Sequence, residues 1–98
     1  MPSGAVVLHV AGELDLATAP RLEDAIAGAS HVEHVVIDLS GCTFLDSSGV
    51  RTLVLARRNA PPDRRVDLVS ADQSILRVLE ITGVDTMLAV HPSVEAAL

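Results

Sequence analysis

The sequence has almost no aromatic side chains: its 98 residues include one Phe, no Tyr and no Trp. Platforms on which nucleobases or sugars could stack are therefore missing. Acidic residues outnumber basic ones by 13 to 7, and the formal net charge is −6 at pH 7. Because such a surface repels phosphate backbones and anionic lipid, we expect neither nucleic acid nor a membrane as a partner. A protein partner with a basic patch fits this charge better.

Long apolar runs and paired cysteines are missing as well. No uninterrupted apolar segment approaches the ~20 residues that a membrane-spanning helix requires. Residues 1–4 lack the basic and apolar regions of a secretory signal peptide. Cys42 is the only cysteine, so an internal disulfide is excluded, and we interpret Cys42 as a small buried residue. These absences predict a cytoplasmic protein.

The residues that catalysis or metal binding would need are not grouped in the sequence. It contains no Gly-x-Ser-x-Gly, no Walker A loop and no Gly-x-Gly-x-x-Gly. The histidines are scattered and have no Cys or Asp at metal-ligand spacing, so we interpret them as solvated or incidental. They are His9, His31, His34 and His91. We therefore expect a protein that is not an enzyme and that has no metal and no cofactor.

Apolar strands alternate with amphipathic helices along the chain. With 49% hydrophobic residues the sequence can build the core of one domain, and we assign residues 1–98 to it. Apolar, β-branched runs predict strands at residues 5–11, 34–39, 65–70 and 87–90. The run at residues 34–39 is apolar almost throughout, which is typical of a parallel strand buried on both faces.

Helical spacing of apolar residues predicts a helix after each strand. The predicted helices lie at about residues 18–30, 46–58, 70–83 and 92–98. Residues 13–16 and 41–45 are interpreted as loops. Alternation of this kind indicates an α/β fold, in which four strands form a mainly parallel sheet with three to four helices and right-handed crossovers.

The segment Asp46-Ser47-Ser48-Gly49 stands where a strand is followed by a helix. Its simplest interpretation is a helix cap, in which Asp46 is the capping residue and the serines suit the first turn. An exposed serine in a first turn can also carry a phosphoryl group without unfolding the helix. A helix start can, in addition, bind a free anion. These three interpretations remain open.

A second acidic loop, Gly12-Glu13-Leu14-Asp15, also follows a strand and precedes a helix. It is either a solvated turn or a docking loop. Because the carboxyl ends of parallel strands meet at one edge of a sheet, we expect both acidic loops at that edge. Together they would form an acidic patch that carries hydroxyl groups.

The two motifs in this order resemble the STAS domain. The resemblance rests on G-E-L-D at residues 12–15 with Thr18 and Leu22, on V-I-D-L at 36–39, and on F-L-D-S-S-G-V at 44–50. More closely, the chain is similar to the bacterial anti-sigma factor antagonists, also called anti-anti-sigma factors. The resemblance covers about residues 6–90 and implies a small α/β fold with helices on a four- to five-stranded sheet.

The resemblance also implies a function and a set of residues. An unphosphorylated antagonist captures an anti-sigma factor that is a serine kinase, and the sigma factor is released. The kinase then phosphorylates the serine directly after the aspartate, which is Ser47 here, and a serine phosphatase resets the switch. Asp15 corresponds to the kinase-facing surface. The full set that we expect to bind the partner is Asp15, Thr18, Asp46, Ser48, Gly49 and Arg51.

An alternative function keeps the same fold. The chain could be a STAS accessory subunit of a transporter or signalling complex in which the serine is never modified. A third interpretation is a small-molecule or nucleotide binder that uses the helix start. We expect three departures from the family pattern: residues 1–4 leave little room for an additional first strand, Arg51 occupies a position that is often small, and residues 92–98 give a short C-terminal segment of two helical turns at most.

Overall fold

The computed structural model describes residues 4–98, and the expectations for the start of the chain, residues 1–3, lie outside this range. Its sheet has four parallel strands that lie side by side in the order in which they follow one another in the sequence. The strands are β1 (Ala5–Leu14), β2 (His34–Leu45), β3 (Arg65–Val69) and β4 (Ala89–His91). The predicted α/β fold with a parallel sheet is confirmed.

Five helices are present in residues 4–98, and two of them are single turns. The helices are α1 (Ala19–Gly28), α2 (Ser47–Arg58), α3 (Gln73–Ile81), α4 (Val84–Met87) and α5 (Val94–Ala97). The prediction placed Met87 in the last strand, whereas it ends the short helix α4 and the strand begins at Ala89. The terminal helical turn is confirmed as α5.

The two faces of the sheet are covered unequally. Each strand lies beside the previous one on the same side, and right-handed crossovers then place all connecting helices on one face. Side chains of α1, α2, α3 and α4 share the main core with that face of the sheet. On the other face, α5 is the one helix among residues 4–98 that packs there, on a small cluster built from Val36, Val69 and Ala97. Five consecutive residues of β2, Val35 to Leu39, are buried, as the apolar run predicted.

The strands β1 and β2 are longer than the sequence pattern indicated. The prediction ended them near Ala11 and Leu39 and treated residues 13–16 and 41–45 as loops, but β1 continues to Leu14 and β2 to Leu45. Their pairing shifts register between His9 and Ala11 and between Gly12 and Glu13. Each shift inserts one extra residue into β2, which explains why twelve residues of β2 pair with ten of β1.

Because of these two bulges, the spacing of apolar residues in the sequence did not predict the last part of β2. In a regular strand the buried side chains recur every second residue. The buried residues at the end of β2 are instead three apart, at Leu39, Cys42 and Leu45. Gly12 supports the matching distortion of β1 with a φ of +82°, a conformation that favours glycine.

Candidate functional site

The carboxyl edge of the sheet brings the two acidic loops together. Glu13 pairs with Phe44 and Leu14 pairs with Leu45, so β1 and β2 end side by side. The backbone N–H of Asp46 then donates to the Leu14 carbonyl over 3.3 Å. The start of α2 is therefore fixed against the end of β1, and the predicted neighbourhood of the two motifs is confirmed.

Asp46 caps α2, as the sequence predicted. Its Oδ1 accepts hydrogen bonds from the backbone N–H groups of Ser48 and Gly49, at 2.9 and 3.0 Å. Both donors are among the few at a helix start that lack a partner within the helix. Since a carboxylate of the chain itself already occupies them, the start of α2 is not an open anion site. This geometry argues against the small-molecule interpretation.

Ser47 is the first residue of α2 and is exposed. Within residues 4–98 its hydroxyl makes no hydrogen bond, so no internal contact has to break before this oxygen reacts. Ser48 is only half-exposed because it lies further into the first turn. The two serines are thus not equivalent, and Ser47 is the better placed to reach another protein.

Gly49 has a structural role that differs from the expected one. It is buried, so it cannot offer a partner the surface that the sequence analysis assigned to it. A Cβ atom at this position would lie 2.6 Å from Leu45 Cδ1, 2.7 Å from the Leu14 carbonyl oxygen and 2.9 Å from Leu14 Cγ. Only glycine permits this approach. The absence of a side chain at Gly49 therefore lets the start of α2 pack directly against the backbone of β1, and this contact sets the position of Ser47.

The Asp15 loop is held by its own hydrogen bonds. Asp15 Oδ1 accepts from the backbone N–H groups of Ala17 and Thr18, at 3.0 and 3.1 Å. The Thr18 N–H bond is the main reason why the pKa of Asp15 lies below its usual value. The carboxylate is half-exposed, and its second oxygen, Oδ2, makes no hydrogen bond within the described residues.

Thr18 supports this loop instead of capping α1 through its side chain. Thr18 is the residue that directly precedes α1, but its hydroxyl makes no capping bond to the helix. It donates to the Glu13 carbonyl over 2.8 Å and accepts from the Asp15 N–H over 2.9 Å. Thr18 therefore ties the loop to the end of β1.

Arg51 lies on the exposed side of α2, four residues after Ser47. Within the part of the chain that the structure describes, its guanidinium has no hydrogen bond or ion pair. Side chains four residues apart are neighbours on a helix surface. Arg51 is therefore a free cation within reach of Ser47, in a site whose other charges are the carboxylates of Glu13, Asp15 and Asp46.

Three of the four histidines are not incidental, and for these the interpretation is corrected, whereas His31 is exposed as expected. His9 Nδ1 lies 2.7 Å from Asp38 Oδ2, on adjacent strands. His34 Nε2 lies 2.6 Å from Asp67 Oδ2, and His91 Nε2 lies 3.2 Å from Asp67 Oδ1. These pairs join strands on the sheet face that carries α5. Residues 4–98 include no group of three or more His, Cys, Asp or Glu side chains that could hold a metal ion.

The buried groups Asp67 and Cys42 have shifted pKa values with clear causes. Burial raises the pKa of Asp67, but its hydrogen bonds to His91 and His34 and the charge of Arg65 outweigh burial, and the net pKa is lowered. Burial raises the pKa of the Cys42 thiol. The interpretation of Cys42 as a small buried residue is thus confirmed.

Comparison with known proteins assigns the family. Residues 1–89 match the family described as "Mlab, STAS domain". The chain therefore belongs to the STAS domain family. Its sequence is 35% identical to the anti-sigma-F factor antagonist RsfA of Mycobacterium tuberculosis, over 96% of this chain and 77% of that protein. Within the STAS family the chain is thus a member of the anti-sigma factor antagonists.

Solved structures agree with this assignment. The fold superposes with a TM-score of 0.90 on an anti-sigma factor antagonist from Mycobacterium paratuberculosis, at 32% identity, covering 96% of this chain and 82% of that one. It also matches the Bacillus cell fate determinant SpoIIAA in its phosphorylated form, with a TM-score of 0.70, 23% identity and coverage of 94% and 86%. This second likeness concerns the fold alone.

Proposed function

We propose that the chain is a binding module switched by phosphorylation at Ser47. The unmodified protein sequesters an anti-sigma factor that is also a serine kinase, so that a sigma factor is released. The kinase transfers a phosphoryl group to Ser47, the complex dissociates, and a serine phosphatase restores the unmodified form. In this proposal the protein acts in the cytoplasm and has no catalytic activity of its own. Among residues 4–98 no helix is long and apolar enough to cross a membrane.

The proposal rests mainly on the exposure of Ser47 and on the lack of internal hydrogen bonds to its hydroxyl. Its hydroxyl is exposed and unbonded within the described residues, at the start of a helix that is locked in place by Asp46 and Gly49. A phosphoryl group there adds a charge of about −1.5 to −2 at pH 7. The backbone around the serine is hydrogen-bonded and closely packed and its oxygen is accessible, which suits a substrate that another protein must recognise and modify.

The position of Asp46 explains how phosphorylation would act on binding. The N–H groups of Ser48 and Gly49 are already bonded to the Asp46 carboxylate, so they cannot neutralise a phosphate on Ser47. The new charge stays on the surface beside the carboxylates of Asp15 and Asp46, where the single charge of Arg51 offsets it only in part. In this proposal the partner places carboxylates or bound nucleotide phosphates against Ser47 itself, so the added negative charge disfavours the complex, while the partner's basic residues face Glu13 and Asp15.

The remaining site residues take distinct roles in the proposal. Asp15 and Arg51 present charges to the partner, since both have groups that are free of internal bonds in the described residues. Ser48 contributes from a half-exposed position. Thr18 holds the Asp15 loop, and Asp46 holds the first turn of α2.

Phosphorylation by the cognate anti-sigma factor kinase tests the proposal. The kinase and ATP are incubated with wild type, Ser47→Ala and Ser48→Ala, and intact mass is recorded over time. We expect one phosphoryl group on wild type and Ser48→Ala, and none on Ser47→Ala. Labelling of Ser47→Ala at the wild-type rate would overturn the assignment. If the kinase phosphorylates neither wild type nor either variant, this result would favour the alternative of an accessory subunit of a transporter or signalling complex.

A further inference from the structure

Two large apolar side chains stand exposed at the edge of the sheet that carries Ser47. Leu16 is 76% exposed in the loop after β1, and Phe44 is 50% exposed near the end of β2. Phe44 is also the only aromatic residue of the chain. The other large hydrophobic residues that are exposed within residues 4–98 lie elsewhere, at Ile81, Met87 and Leu98.

The second bulge of β2 turns Phe44 outward. Cys42 is buried, and period-two alternation would bury Phe44 as well. The register shows that Cys42 pairs with Gly12 and Phe44 with Glu13, so Thr43 is the extra residue between them. This insertion reverses the side chain of Phe44 and returns Leu45 to the core. Bulges re-aim side chains in this way beside functional sites.

Leu16 is held in position by its loop. It lies between Asp15, which accepts the Ala17 and Thr18 N–H groups, and Thr18, which is bonded back to Glu13. The loop is thus closed by hydrogen bonds on both sides of Leu16, while the leucine side chain itself is in solvent. A partner that buries a side chain on such a loop loses little conformational entropy, because the loop is already ordered.

We infer that Leu16 and Phe44 are apolar anchors for the anti-sigma factor kinase that phosphorylates Ser47. This inference rests on the proposed function. The two side chains flank Glu13 and Asp15, so the surface has apolar groups within an acidic rim. Its complement is an apolar pocket bordered by basic residues. Apolar and aromatic anchors supply most of the binding energy in such interfaces, and the charges around them steer association and orientation.

In this arrangement, docking of the kinase and modification by the kinase depend on different residues. Leu16 and Phe44 contribute to docking of the unmodified protein, and neither belongs to α2, which carries Ser47. Ser47, at the adjoining start of α2, is the residue that the kinase phosphorylates in this proposal. Loss of an anchor should therefore weaken docking and raise the KM for phosphorylation, while kcat at saturating antagonist stays close to wild type.

Leu16→Ala and Phe44→Ala test the inference, and Ile81→Ala is the matched control because Ile81 is 74% exposed on α3, away from this edge. Affinity for the cognate kinase is measured by calorimetry, and KM and kcat by phosphorylation kinetics. We expect each anchor variant to bind about 10- to 100-fold more weakly with a raised KM. Ile81→Ala should bind like wild type, and all three variants should keep the wild-type far-UV spectrum.

Three outcomes would overturn the inference. Wild-type affinity in both anchor variants means that the kinase does not use these side chains. If wild type sediments as a dimer and Phe44→Ala as a monomer with unchanged kinase affinity, the apolar pair belongs to self-association. If wild type neither binds the kinase nor is phosphorylated, the proposed function itself fails, and this result differs from the first because it affects every variant.

Discussion

Replacing Gly49 with alanine should destabilise the fold and displace the start of α2. The added Cβ would lie 2.7 Å from the Leu14 carbonyl oxygen and 2.6 Å from Leu45 Cδ1. A leucine side chain can change rotamer, but the carbonyl belongs to β1, which is hydrogen-bonded to β2 along its length. The first turn of α2 must therefore move away from the sheet.

The size of the effect follows from two opposing contributions. Overpacking a well-packed site costs about 1–3 kcal/mol, and alanine favours a helix over glycine by up to about 1 kcal/mol. Taken from the middle of both ranges, the net loss of unfolding free energy is about 1–2 kcal/mol. For a chain of this length, each kcal/mol changes the melting temperature by about 4–8 °C, so Gly49→Ala should melt about 4–16 °C below wild type.

Gly28→Ala is the matched control for this prediction. Gly28 lies in α1, and a Cβ there would meet no atom within 4 Å. This variant should be neutral or more stable by up to about 1 kcal/mol. Far-UV circular dichroism melts of the three proteins give the comparison. A Gly49→Ala protein that melts with wild type would refute the close packing of α2 on β1 as the reason for glycine at this position.

Three further predictions concern charge. Asp15→Asn should melt close to wild type yet bind the kinase more weakly, because the amide oxygen can still accept the loop N–H bonds while the charge is lost. Thermal melts measure its stability, and calorimetric titration measures its affinity for the kinase. Phosphorylation of Ser47 should raise the melting temperature through Arg51, four residues on, and Arg51→Ala should remove the gain. The lowered pKa of Asp67 stabilises the fold above the ordinary aspartate pKa, so the unfolding free energy should fall as the pH drops below about 4, and less so in Asp67→Asn.

Each of these predictions has a clear contradictory result. A large drop in the melting temperature of Asp15→Asn would make its charge a structural requirement of the loop. An unchanged melting temperature after phosphorylation would show that Arg51 does not contact the phosphate, and would leave it a role in kinase selection. Equal acid sensitivity of Asp67→Asn and wild type in urea titrations would assign the acid transition to other carboxylates.

Local sequence signals determined much of this protein. The run from Val35 to Leu39 predicts a buried strand because its apolar side chains have no polar alternation, and the structure buries all five residues. Asp46 predicts a helix start because a short carboxylate can reach the N–H groups two and three residues ahead. Both signals involve only neighbours in sequence, and they place the two acidic motifs at one edge.

Contacts between distant segments decided the rest. The sequence pattern predicted that β2 ends near Leu39, because apolar residues spaced three apart do not follow the alternation of a regular strand. Only the pairing with β1 shows that Cys42 and Leu45 belong to the same, bulged strand. The same pairing turns Phe44 outward and brings Leu14 against Gly49. Such features depend on which backbone lies opposite, and residue spacing within one segment carries no information about it. The sequence alone therefore determined the order of strands and helices and the place of Ser47 at a helix start, whereas the tertiary structure decided where the strands end and which surface surrounds Ser47.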